Sequence, residues 1–261
     1  MCVDRRSKPE IYIDHKMEGP TFTSENISVA SLAKDGNAAA GQSRTLPPTT
    51  LSTSEEYRSR LADIYSRASV SDALIALFEH DKDPTLTSVT APLVRKACEK
   101  RIERKVGAGS IVVEAANFAA MACWEPPAAT PPILSDGELA ELEKERPTFA
   151  QFTREIQRAR MDVLGPDQKF WSLSLMGRDP ERKDKGAVRA VIEPFVARAR
   201  TDGVPLWLVA GNVRARDVYA YFGFRVVGYI ESFPKVRAPG AQGVPSWIMV
   251  CNWPPEGEGR S

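Results

Sequence analysis

The sequence predicts a mixed α/β fold in which helices flank a sheet with at least one parallel crossover. Two observations lead to this prediction. Two apolar runs within residues 110–124 flank Ala116 and Asn117, which is the pattern of a β-hairpin. Farther along, a strand over 170–176, a helix after Gly186 and an apolar strand over 205–210 follow in that order. A helix between two strands typically joins parallel neighbours in one sheet.

The segment before the hairpin is predicted to be helical. Residues Thr53–Glu56 fit a capping box that begins a first helix, and a second helical run covers Asp72–Glu79. Thr90 caps a third helix, which ends at Gly107. The polar stretch Phe78–Thr90 between the second and third helices is predicted to be a loop.

Two more helices are predicted between the hairpin and the strand over 170–176. Ser135 with Glu138, and Thr148 with Gln151, have the spacing of capping boxes. An apolar stripe follows the second box, so we expect these helices to cover one face of the sheet. The remaining predicted elements are a short helix over 213–221 and strands over 224–230 and 246–251.

Composition excludes several classes of protein. The chain has 261 residues, with 35 Lys and Arg against 34 Asp and Glu, and this balance argues against a nucleic-acid partner. No run of 18 apolar residues exists, so no membrane partner is expected. The four cysteines lie far apart and the start of the chain has no apolar signal region, so we expect a cytoplasmic protein without a metal site.

Apolar residues are unevenly distributed along the chain. Leu, Ile, Val and Phe number nine in the first 60 residues, too few for a separate core. We therefore expect a largely flexible extension over 1–50 with one strand at 27–32, a single folded domain over 51–254 and a flexible tail over 255–261. The sequence leaves the oligomeric state open.

A polar loop precedes the predicted helix at Gly186, and it has the features of a phosphate site. Backbone N–H groups at a helix N-terminus attract anions, and glycine lets a ligand approach the backbone closely. Lys183 and Lys185 add positive charge. Taken alone, the same pattern also fits an ordinary solvated loop that leads into a helix.

Two further places carry residues of interest. In the segment 212–224, Tyr219 is followed by Gly223, a pattern that also fits simple packing with a glycine at the helix C-terminus. Glu125 ends the second hairpin strand beside two prolines, where a carboxylate is commonly just solvated.

Together these features resemble the GCN5-related N-acetyltransferases, in their small-molecule-type fungal and bacterial branch. The stretch Trp171–Val188 is similar to a family strand that leads into the loop cradling the pyrophosphate of acetyl-CoA. The hairpin ending at Pro127 is also similar. A second family motif, Asn-x-x-Ala-x-x-x-Tyr-x-x-x-Gly-Phe, is matched at every named position, by Asn212, Ala215, Tyr219, Gly223 and Phe224. The resemblance covers about residues 54–253 in element order, and its specific motifs cover about 171–230.

The resemblance implies a mostly antiparallel sheet in which two parallel strands splay in a V shape, with acetyl-CoA as co-substrate and no metal. The residues that it implies for cofactor binding are Leu175, Met176, Arg178, Lys183, Asp184, Lys185, Gly186, Ala187, Val188, Asn212, Ala215 and Tyr219. Lys183, Asp184 and Val188 depart from the usual family residues. Asp184 brings a negative charge to the loop, which we expect Lys183 and Lys185 to offset in part.

The implied reaction is direct attack of a small-molecule amine on the thioester. The backbone N–H of Met176 or its neighbour polarises the carbonyl, and Tyr219 protonates the departing thiolate. No motif identifies the base, for which Glu125 is the candidate. The loop Phe78–Thr90, with His80, Asp81 and Asp83, is a candidate part of the acceptor pocket.

Other readings stay open at this point. They are a non-catalytic CoA-binding protein, and a protein or peptide N-acetyltransferase, although the predicted helices within 128–168 suggest a covered site. A nucleotide-binding oxidoreductase is disfavoured, because Gly107 and Gly109 precede a strand rather than follow one.

Overall fold

The structure is a computed structural model that describes residues 45–235 and 242–254. The expected strand over 27–32, most of the expected extension and the expected tail lie outside the described residues, as do Cys2 and His15. In the described part, Cys98, Cys123 and Cys251 are buried free thiols.

Seven strands form one sheet in the described residues. The strands are β1 (Thr49–Ser52), β2 (Ile111–Ala115), β3 (Ala120–Glu125), β4 (Trp171–Arg178), β5 (Leu206–Ala210), β6 (Arg225–Ser232) and β7 (Val244–Cys251). Their order across the sheet is β1-β2-β3-β4-β5-β7-β6, and every neighbouring pair is antiparallel except β4 and β5. The mixed, mostly antiparallel sheet is therefore confirmed. Strand β1 is an addition that the sequence analysis did not identify, and the boundary expected at residue 51 falls inside it.

Seven α-helices flank this sheet in the same part of the chain. They are α1 (Glu55–Ser69), α2 (Ala73–Lys82), α3 (Ala91–Gly107), α4 (Asp136–Glu145), α5 (Pro147–Leu164), α6 (Ala187–Thr201) and α7 (Val213–Tyr221). A 3-10 turn at Pro127–Ala129 follows β3. The bounds of α7 agree with the predicted helix over 213–221.

The helices divide between the two faces of the sheet. On what we call the α6 face, Trp124 of β3 stacks on Phe195 of α6 with ring centroids 4.6 Å apart, and its indole N–H donates to the Val191 carbonyl. On the opposite α1 face, helices α1 and α3 bury an apolar cluster against β2, β3 and β4 that includes Ile102 and Leu175. Helix α5 covers β6 and β7, as its apolar stripe predicts.

Three local predictions need correction. The cap of α1 is Ser54, one residue after the predicted box begins. Helix α2 continues to Lys82, so the predicted loop is shorter than expected. Thr148 is not a cap, because α5 begins at Pro147 and the Thr148 hydroxyl donates to the Phe233 carbonyl. Proline suits the first helical position, since the N–H that it lacks would have no partner there.

The parallel pair β4 and β5 separates along its length. Only three residue pairs join the two strands, and the last of them is Leu173 with Leu208. Ser174 forms a bulge at this point, since Cys123 pairs with Leu175 while the next residue, Trp124, pairs with Leu173. Bulges bend a strand and increase its twist. The remainder of β4 therefore diverges from β5 and leaves a gap between them, which is the splay that the resemblance implies.

Candidate functional site

The gap between β4 and β5 is the first component of the candidate site. Residues 174–178 of β4 have β3 on one side and no strand partner on the β5 side. The side chain of Leu175 is buried on the α1 face, and Met176 packs against the core of the α6 face. An unpaired strand edge offers backbone donors and acceptors to an extended ligand.

A groove of about 1530 Å³ lies beside the open end of this gap. Its wall includes the N-terminus of α6, one side of α7 and the loop that follows β4. Six of the predicted cofactor residues line the groove: Arg178, Lys183, Asp184, Lys185, Gly186 and Val188. The structure thus brings the predicted phosphate loop and the end of β4 into one cavity.

Asp184 is held by a neighbouring arginine rather than by the lysines. The Arg182 guanidinium bonds both carboxylate oxygens of Asp184, at 2.9 and 2.8 Å. Arg182 holds the pKa of Asp184 below its ordinary value. The same guanidinium donates to the carbonyls of Ala116 and Asn117, in the turn of the β2–β3 hairpin. Arg182 is therefore the direct ion-pair partner of Asp184, and both lysines stay available.

Gly186 begins α6 with a left-handed backbone, at φ 84°. A side chain at this position is strained, and its Cβ would lie 3.2 Å from Cδ of Pro47. The first intrahelical bond of α6 runs from Ala190 N–H to the Gly186 carbonyl. The N–H groups of Ala187, Val188 and Arg189 therefore have no intrahelical acceptor, and they stand at the positive end of the helix dipole.

The groove carries an excess of positive charge. Its cationic lining residues are Arg178, Lys183, Lys185, Arg189 and Arg214, against the acidic residues Asp184 and Asp217. Both carboxylates are paired with other arginines, Asp184 with Arg182 and Asp217 with Arg216. Among the described residues, Lys183 and Lys185 are exposed and take part in no ion pair. Phosphate groups are the natural ligands of such a surface.

The family motif at residues 212–224 is explained by helix ends. Asn212 caps α7, since its side-chain oxygen accepts from the Ala215 N–H at 2.9 Å. Its amide also donates to Asp72 at 2.6 Å, which ties α7 to the start of α2. Gly223 closes the other end of α7 with φ 87°. Neither Asn212 nor Ala215 lines the groove, so the structure gives both a positioning role at the start of α7.

Tyr219 is positioned by these two helix ends. Its carbonyl accepts from the N–H groups of Phe222 and Phe224, which fixes the last turn of α7. The side chain is 7% exposed and lies in the core of the α6 face. Burial raises the pKa of Tyr219, so the hydroxyl keeps its proton at neutral and mildly alkaline pH. No side chain or backbone group among the described residues forms a hydrogen bond with this hydroxyl.

A second tyrosine approaches from the other face of the sheet. Tyr65 of α1 packs on the α1 face, and its negative charge, if formed, would oppose ionisation of Tyr219. Burial raises the pKa of Tyr65 to about 12, against a smaller opposing effect of Arg101. Helix α1 comes very close to β4, since a Cβ at Gly177 would lie 3.2 Å from the Tyr65 backbone. Sequence reasoning missed Tyr65, because only the tertiary packing brings α1 to the gap.

Glu125 lies at the closed end of the gap, where it pairs with Ser172 of β4. The carboxylate is buried, and its Oε1 is 2.6 Å from Nζ of Lys105 on α3. Burial lowers the pKa of Lys105, and the Glu125 charge acts in the opposite direction. The candidate base is thus one member of a buried ion pair, which the sequence analysis did not anticipate.

The structure also adds residues to the groove that were not predicted. Arg189 donates to the hydroxyl of Tyr221, and its guanidinium lies 5.4 Å from the centre of that ring. Tyr221 is 68% exposed. The helical spacing of Val213, Asp217 and Tyr221 places all three on the groove side of α7, and this spacing was the available signal.

Two candidates from the sequence have structural roles instead. The Asp81 carboxylate accepts from the N–H groups of Thr148 and Phe149 and so caps α5. Asp83 accepts from the N–H and hydroxyl of Thr85. Both carboxylates therefore already accept hydrogen bonds from other residues of the protein.

Two kinds of feature are absent from the described residues, a metal-binding cluster and a membrane-spanning helix. No group of three or more His, Cys, Asp or Glu side chains there is arranged to hold a metal ion. None of the helices over 45–235 and 242–254 combines the length and apolarity needed to cross a membrane.

Comparison of sequences finds distant relatives of the chain. No family model matches it. An uncharacterized N-acetyltransferase of Schizosaccharomyces pombe is 30% identical over 114 residues, which are 43% of this chain and 43% of that protein. The match thus covers less than half of this relative.

Comparison of structures finds neighbours with the same fold. Arylalkylamine N-acetyltransferase 2 from Aedes aegypti superimposes with a TM-score of 0.52 and 14% identity, over 77% of this chain and 97% of that one. The C-terminal condensation domain of Ebony, in complex with beta-alanyl-dopamine, gives a TM-score of 0.51 and 12% identity, over 78% and 99%. At such low identity the likeness concerns the fold, so the chemistry rests on the site itself.

Proposed function

We propose that this chain, which has the fold of the GCN5-related N-acetyltransferases, is an acetyl-CoA-dependent N-acetyltransferase that acts on a small-molecule amine. The observation that carries the proposal is the gap between β4 and β5, which opens beside a groove with unpaired cations and a free helix N-terminus. The relative and the neighbour that are named N-acetyltransferases support the same reading.

The groove suits the phosphates of coenzyme A. The unpaired N–H groups at the start of α6 and the side chains of Lys183 and Lys185 bind the pyrophosphate. Arg178 adds a further cation at the end of β4. The unpaired edge of β4 binds the pantetheine arm, and the N–H of Met176 or its neighbour polarises the thioester carbonyl.

The reaction is direct transfer to the amine. The thioester supplies an activated acyl carbon. The amine nitrogen forms a bond to this carbon, the carbon–sulfur bond breaks, and Tyr219 donates its proton to the departing thiolate. Its raised pKa keeps that proton available at neutral pH. Glu125 receives the proton that the amine loses, from the α1 face of the gap.

Release of free thiol tests this function directly. Purified protein is mixed with acetyl-CoA and a panel of small amines, and thiol is followed over time. We expect Tyr219→Phe to lower kcat by about 100-fold, because one proton donor is lost without loss of shape. Tyr229→Phe is the matched control, since that ring is 58% exposed on β6, and it should behave like the parent protein.

Each other outcome has a clear meaning. Faster thiol release with peptides than with small amines would show that the acceptor is a peptide or protein. Binding of coenzyme A with no thiol release in any mixture would favour a non-catalytic protein. Equal rates for the parent protein and Tyr219→Phe would remove Tyr219 from the mechanism.

A further inference from the structure

An exposed arginine lies where the gap begins, on the α1 face. Arg101 of α3 donates through Nη2 to the carbonyl of Ser174 at 3.0 Å. Ser174 is the bulged residue of β4, and the preceding Leu173 is the last residue of β4 that pairs with β5. The guanidinium is therefore tethered beside the point where an acyl group in the gap meets its acceptor.

The charge of Arg101 is uncompensated among the described residues, where no carboxylate lies within ion-pair distance of it. Its neighbour on the same helix differs in this respect, because Arg95 is paired with both Asp63 and Glu99. A guanidinium has five N–H donors, and a single described bond engages Arg101. Enough donors remain to bind a carboxylate in a bidentate manner.

The charges around Arg101 favour an anion. Lys105 lies one turn later on α3, and Glu125 is already bound to it at 2.6 Å. Of these three groups, Arg101 and Lys105 are cations, and the one carboxylate is already paired. A purely cationic amine is repelled by such a surface, whereas an amine that also bears a negative group is attracted.

We propose that the acceptor is an amine that carries a carboxylate, and that Arg101 binds this carboxylate on the α1 face of the gap. The inference rests on the proposed transferase function. Arg101 is then a specificity-determining residue, which holds one end of an amino acid while its amine faces the thioester and Glu125.

The test compares each amino acid with its amide, in which a neutral group replaces the carboxylate. Thiol release is measured with phenylalanine and phenylalaninamide, and with 4-aminobutyrate and 4-aminobutyramide, so that both α- and ω-amino acids are included. We expect kcat/KM for the better acid to exceed that of its amide by about tenfold or more. Arg101→Gln should bring this ratio close to one, mainly through KM for the acid. Glutamine has a helix propensity similar to that of arginine, so α3 itself should be preserved.

Arg95→Gln is the matched control on the same helix, and it should leave the acid-to-amide ratio unchanged. Thiol release with equal or greater kcat/KM for the amides would overturn the inference while leaving the transferase function intact. A ratio that Arg101→Gln does not change would also overturn it. Absence of thiol release with every acceptor would instead reject the proposed function itself.

Discussion

The charged side chains at the two ends of β4 differ in whether they are paired. At the open end, beyond Arg178, the side chains of Lys183 and Lys185 are exposed and belong to no ion pair among the described residues. At the closed end, Glu125 and Lys105 are shielded from solvent and bound to each other. An exposed cation stays solvated at little cost, whereas a buried charge needs a partner. The open end therefore has two unpaired lysines to offer a ligand, whereas the Glu125–Lys105 pair at the closed end neutralises itself.

Breaking the buried pair gives the largest expected effect. Glu125→Gln leaves Lys105 without its carboxylate, and we expect the free energy of unfolding in urea to fall by about 3 kcal/mol. If Glu125 is the base, thiol release per folded molecule should also fall by more than tenfold. Lys105→Met is the matched control, because it breaks the same pair and keeps the carboxylate.

These two variants separate the roles of Glu125. A loss of turnover in Glu125→Gln that Lys105→Met does not show supports the base. Equal turnover per folded molecule in both variants would show that Glu125 has a structural role and is not the base.

The tyrosines on the two faces of the gap give a smaller effect. Burial raises the pKa of Tyr65 and of Tyr219, so the folded protein holds these protons more tightly than the unfolded chain, where tyrosine titrates near pH 10. Their contribution to stability is complete below about pH 10 and is lost as pH rises. The loss is at most about 1.4 kcal/mol per pH unit for each tyrosine.

Urea unfolding between about pH 9 and about pH 11.5 measures this loss. Tyr65→Phe and Tyr219→Phe should each make the fall in stability shallower than in the parent protein, and the double variant shallower still. The same slope in all four proteins would show that neither hydroxyl is buried as described.

Local signals in the sequence were sufficient for some features and not for others. The bounds of α7 followed from residues that lie close together in the chain, with Asn212 as cap and Gly223 as terminator. The hydrogen bond from Arg182 to the hairpin turn joins residues 65 positions apart in the chain, and the Glu125–Lys105 ion pair joins residues 20 positions apart. No local sequence pattern contains either contact. The divergence of β4 from β5 was expected only from the family resemblance, because strand pairing depends on the whole sheet.

We infer that the cationic groove and the gap between β4 and β5 form one site for acetyl-CoA. Calorimetric titration with coenzyme A tests this claim. The parent protein should bind one molecule per chain. Replacement of both Lys183 and Lys185 by alanine should weaken that binding by about tenfold or more, and the effect should shrink at high salt. Replacement of the exposed Lys96 and Lys169 is the matched control and should change little. Failure of the parent protein to bind, or equal affinity in the two double variants, would contradict the claim.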